Sequence, residues 1–62
     1  MKTREIIKRL EKEGWICIRQ KGSHKVFKKQ NLAELITLPD HGANKELSIG
    51  VLRDIQKKAG WK

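Results

Sequence analysis

The tightest constraint on this chain is Lys21-Gly22-Ser23-His24, where Gly-Ser stands between two strand-like runs. A two-residue link of this kind reads as a β-hairpin turn, with Gly22 taking the positive φ that a side chain disfavours. Lys21 and His24 then oppose each other directly, and their side chains leave one face of the sheet about 5 Å apart. Strict alternation away from the turn puts Trp15, Cys17, Arg19, Lys21, His24, Val26 and Lys28 on that face. Ile16, Ile18, Gln20, Lys25, Phe27 and Lys29 fall on the other. Ile16, Ile18 and Phe27 suit a core, whereas Arg19, Lys21, His24 and Lys28 do not. A lone imidazole is therefore expected on an outward face, beside a tight turn and among cations.

The rest of the chain reads as a scaffold for that corner. Thr3 is a fair N-cap, Ile6, Ile7 and Leu10 follow at helical spacing, and Gly14 is a natural stop. A first helix is expected from about Arg4 to Glu13. On it Arg4, Lys8 and Lys12 form a row of like charge, suited to a solvated face or to contact with phosphates. Strands follow over Trp15 to Gln20 and His24 to Lys29. Gln30-Asn31 opens a turn, and Leu35 to Leu38 makes a third strand closed by Pro39. Ser48 caps a last helix whose apolar stripe is Ile49, Leu52, Ile55 and Ala59, with Gly60 as its stop. Trp15 and Trp61 each follow a helix-ending glycine, and each suits either packing on the last turn or stacking on a base. The expected fold class is α+β, one domain over residues 1–62: helix, three antiparallel strands, helix, with both helices on one face of the sheet.

Charge narrows the partners. Fifteen basic residues against seven acidic ones leave +8 on 62 residues. Such an excess attracts polyanions and says nothing about fold. Nucleic acid, an anionic membrane and an acidic protein all qualify, but no strongly amphipathic helix with bulky exposed apolar residues favours the membrane. One cysteine excludes an internal disulfide. With no signal peptide or long apolar run, it points to a reducing, cytoplasmic setting, where Cys17 is expected to be a partly buried structural thiol.

Absent motifs narrow the chemistry as well. The sequence has no glycine-rich phosphate loop, no Cys/His spacing for zinc, and no acidic cluster for magnesium. Catalysis, if present, falls to His24, His41, Ser23, lysines and arginines. That inventory suits cleavage of RNA by its own 2′-hydroxyl, because the substrate supplies the nucleophile. The protein then provides a base that titrates near neutrality and cations for the developing phosphorane charge, with no metal and no cofactor. His24 is the candidate base. Arg19, Lys21, Gly22, Ser23, Lys25 and Lys28 are candidate RNA contacts around it, and His41 is a possible second acid or base. A binding module without chemistry, holding RNA or an acidic protein through the same charge, remains the alternative.

Lys21-Gly22-Ser23-His24, then Phe27, Pro39, His41-Gly42, Glu46-Leu47, Gly50, Leu52-Arg53, Ile55 and Ala59-Gly60, resemble the HicA toxins of prokaryotic toxin–antitoxin pairs. The likeness covers nearly the whole chain, including the opening helix that ends at Gly14. It departs at Lys25, where His or an aromatic is frequent, and at Ile49 and Val51, where Pro and Thr are common. The resemblance implies a double-stranded-RNA-binding-like αβββα fold and metal-independent endoribonuclease activity on mRNA. It also implies a HicB-type antitoxin that blocks the site, and it puts the family's catalytic histidine on His24. A degenerate toxin that only complexes its antitoxin is a further alternative.

Overall fold

The computed structural model describes residues 1–61. The element order is α1 (Thr3–Lys12), β1 (Ile16–Lys21), β2 (His24–Lys28), β3 (Leu35–Pro39) and α2 (Ile49–Ala59). The strands form one antiparallel sheet in the order β1-β2-β3, so β2 is central and β1 and β3 are edges. Ile6 and Leu10 of α1 and Ile55 of α2 close a core with Phe27, Ile36 and Leu38 on one sheet face. This is the expected αβββα layering.

Both helices stop in the same way. Gly14 and Gly60 adopt left-handed φ values of 98° and 74°. The N–H groups of Trp15 and Trp61 then reach back to the carbonyls of Leu10 (2.9 Å) and Gln56 (2.8 Å). This pattern satisfies carbonyls the helix leaves open and folds the following residue back onto the helix. Both tryptophans are buried in the core, at 2% and 9% exposure, so packing is the role of each. The Trp61 indole N–H also donates to Glu13 Oε1 at 2.6 Å, and the Arg9 guanidinium lies 4.1 Å from the centre of its ring. The ends of α1 and α2 are thereby clasped together.

Besides Ile49, which is 68% exposed instead of joining the apolar stripe of α2, three expectations about the scaffold are corrected. The first concerns β1, where Ile16 and Ile18 are 66% and 54% exposed rather than in the core. The ladder pairs Cys17 with Phe27 and Arg19 with Val26, leaving Ile18 as the extra residue of a β-bulge. One inserted residue reverses the alternation upstream of it, so Ile16 stands opposite Lys28 on the outward face. Trp15 fills the core in their place. The second concerns Cys17, which is exposed on the edge strand instead of partly buried. The third is the start of α1. Lys2 holds the N-cap position, with its backbone N–H donating to Glu5 Oε1 at 2.8 Å. Thr3 is fully buried inside the first turn, because its hydroxyl donates to the Lys45 carbonyl at 2.9 Å. Among the described residues, no helix is long and apolar enough to cross a membrane.

Candidate functional site

Gly22 and Ser23 make the turn between β1 and β2, with Gly22 at φ 58° and open space where a Cβ would stand. A side chain there would fit sterically but would strain the backbone. The turn sets the register of the outward face in three rows across the strands. Nearest the turn is Lys21–His24–Pro39, next Arg19–Val26–Thr37, and farthest Ile16–Lys28–Leu35. His24 is exposed. It opens onto a shallow hollow of about 550 Å³ whose lining is Arg19, Lys21, Gly22, Ser23, His24, Val26 and Thr37. The alternation expected from the turn thus brings Arg19, Lys21 and His24 together.

The charge of this hollow is uncompensated. Among the described residues, ion pairs join Met1 to Glu46, Arg9 to Glu13, Lys25 to Asp40 and Lys58 to Asp54. None involves Arg19, Lys21 or His24. Lys28 is on the same face but farther out, and its ammonium donates to the Leu32 carbonyl at 3.0 Å.

The other candidates separate. Lys25 faces the opposite side of the sheet from His24, and its ammonium lies 3.0 Å from Asp40 Oδ2. Asp40 is held below the usual carboxylate range by that contact and by the Gly42 N–H donating to Oδ1 at 3.1 Å. Asp40 also donates its backbone N–H to the Ser23 carbonyl at 2.6 Å. His41 is exposed and lines a separate hollow of about 330 Å³ between the end of β3 and the starts of both helices, with Thr3, Pro39 and Ser48 among its neighbours. Among the described residues, no three His, Cys, Asp or Glu side chains come together as a metal site would require.

Sequence reasoning missed Asp40, which looks like ordinary loop composition, and the exposed trio Ile16, Ile18 and Leu35 on the outward face. Only the pairing of the strands reveals either.

A family model described as the HicA toxin of bacterial toxin–antitoxin systems matches residues 3–61. The chain belongs to the HicA toxin family. Among solved structures, a "HicA3 and HicB3 toxin-antitoxin complex" has a chain 41% identical to this HicA protein, with a TM-score of 0.77. The alignment covers all of this chain and 97% of that one. No curated protein matches the sequence. Family and fold therefore identify the protein as a toxin of a toxin–antitoxin pair.

Proposed function

We propose that this HicA protein is an endoribonuclease that cleaves mRNA with His24 as general base and without a metal. The observation that carries the reading is the exposed His24 imidazole beside Lys21 and Arg19, in a hollow free of carboxylate partners. The imidazole takes the proton of a ribose 2′-hydroxyl, and the 2′-oxygen attacks the adjacent phosphorus. The bond to the 5′-oxygen breaks, giving a 2′,3′-cyclic phosphate on one fragment. The leaving 5′-oxygen takes a proton from water or an ammonium group and becomes a hydroxyl. Lys21 and Arg19 hold the non-bridging oxygens as charge develops on them. Gly22 and Ser23 bring the backbone of the turn against the same phosphate. His41, in its own hollow, takes no part.

The partner follows from the same face. A HicB-type antitoxin that sets carboxylates over Arg19, Lys21 and Lys28 would exclude RNA from His24. Ile16, Ile18, Leu35 and Val26 supply the apolar contact that slows release. Trp15, being buried, does not contribute.

The test uses labelled RNA in EDTA, wild type against His24→Ala. Wild type is expected to leave cyclic-phosphate ends, and His24→Ala to lose cleavage by about 10²- to 10⁴-fold while RNA affinity stays within a few-fold. Products ending in 3′-hydroxyls, or activity lost to EDTA, overturn the mechanism. RNA binding with no cleavage by the wild type favours the binding module or the inactive toxin instead.

A further inference from the structure

We propose that Asp40 is a positioning residue for His24, gripping the chain on both sides of the imidazole through the Ser23 carbonyl and the Lys25 ammonium. The inference rests on the ribonuclease reading above and adds to it a device that holds the base in place. Asp40 follows Pro39, the residue paired with His24 across the ladder. From there its N–H reaches Ser23 O at 2.6 Å, and its Oδ2 meets Lys25 Nζ at 3.0 Å. Its Oδ1 accepts from the Gly42 N–H, which keeps the carboxylate turned toward Lys25.

The geometry divides the labour between the two faces. His24 points outward, so no group of Asp40 meets the imidazole or a substrate lying in the hollow. Residue 23 is held by its carbonyl and residue 25 by its side chain, both from behind, which limits how far residue 24 between them can shift. Both partners of the ion pair are mostly covered, at 19% and 25% side-chain exposure, so solvent screens the pair less than one at the open surface. Base catalysis is sensitive to such restraint, since a misplacement of about 1 Å costs on the order of 10²-fold in rate. Lys25 changes role accordingly. It is the other half of the grip, not a contact to RNA phosphate.

The experiment uses the full chain, with wild type and His24→Ala run alongside to test the ribonuclease reading itself. Asp40→Ala is expected to lower kcat about 10- to 100-fold, with KM and RNA affinity within about twofold. Asp40→Asn keeps an oxygen for the Gly42 N–H and recovers part of the rate. Lys25→Met loses nearly as much as Asp40→Ala, and the double variant loses no more than Asp40→Ala, because both single changes remove the same ion pair. Should Asp40→Ala unfold, Asp40→Asn and Lys25→Met carry the test. A fall in RNA affinity on Lys25→Met with kcat unchanged overturns the inference, because Lys25 would then be a phosphate contact. An arm that needs no cleavage is ¹⁵N relaxation of residues 22–25 in the free protein. New microsecond–millisecond exchange at His24 is expected in Asp40→Ala. Unchanged relaxation there overturns the grip even in a protein that never cuts RNA.

Discussion

The two faces of the sheet are made from alternate residues of the same three strands, and they differ in how completely their side chains are accounted for. On the covered face Phe27, Ile36 and Leu38 are at most 1% exposed and meet both helices. Even Lys25, at the rim of that face, has a carboxylate. On the outward face Arg19, Lys21 and His24 have no charged partner among the described residues, and Ile16, Ile18 and Leu35 stay at least 40% exposed. A sheet of this size needs only one face to hold its fold. The other is free to carry groups that would be costly to bury, and these groups are left available to a partner from outside the chain.

Neighbours in one strand should therefore fail in different ways. Phe27→Ala removes a fully buried ring and should cost about 3–5 kcal/mol in denaturant unfolding, enough to endanger a domain this small. Val26→Ala, one residue away and facing outward, should cost less than about 1 kcal/mol. Equal losses would break the comparison.

The next effect lies in binding. Lys21→Glu should weaken RNA and the antitoxin together, each by about tenfold or more near 0.1 M salt, with the melting temperature unchanged. Calorimetry across a salt series checks this, and the deficit should shrink as salt rises. Loss of one ligand but not the other would mean that the two use separate surfaces.

The bulge offers a smaller, sharper test. Deleting Ile18 leaves the pairs Cys17–Phe27 and Arg19–Val26 in place and simply makes the ladder regular. Stability should change by no more than about 1 kcal/mol in urea, whereas removing a buried isoleucine would cost about 2–5 kcal/mol. A loss in the larger range would put Ile18 back in the core.

The smallest expected effect is at acid pH. Trp61 and Arg9 hold the Glu13 carboxyl below its ordinary range, as Lys25 and Gly42 do that of Asp40. A carboxyl more acidic in the folded state stabilises above its unfolded value, and the contribution is lost as pH falls through the folded one. Stability should therefore decline below about pH 4. Glu13→Gln should flatten part of that decline in thermal melts recorded between pH 2 and 7. Both side chains keep part of their surface in solvent, at 32% for Glu13 and 19% for Asp40, so the change should be modest.

Much of this was legible in the sequence because it depends on neighbours in the chain. The Gly22-Ser23 turn, the glycine stops at Gly14 and Gly60, the Ser48 cap and the three-strand order are all local signals. Ser48 Oγ does accept from the Val51 N–H, at 3.4 Å. What escaped depends on distant partners. Alternation counted back from Lys21 cannot register one extra residue, since only pairing with β2 shows that Ile18 has no opposite number. Thr3 is a good cap by type, but a carbonyl 42 residues away claims its hydroxyl. The face of Lys25 was readable, while its partner Asp40 came into view only with the β3 ladder.

The clasp between Trp61 and Glu13 spans 48 residues, and it bears on how the toxin comes into being during translation. Ile55 and Trp61, which complete the core, leave the ribosome only after the histidine corner has been made. Until they arrive, Ile6, Leu10, Ile36 and Leu38 lack part of their cover, and a sheet without its helical layer is marginal in water. The nascent chain thus carries its exposed histidine on an unfinished support.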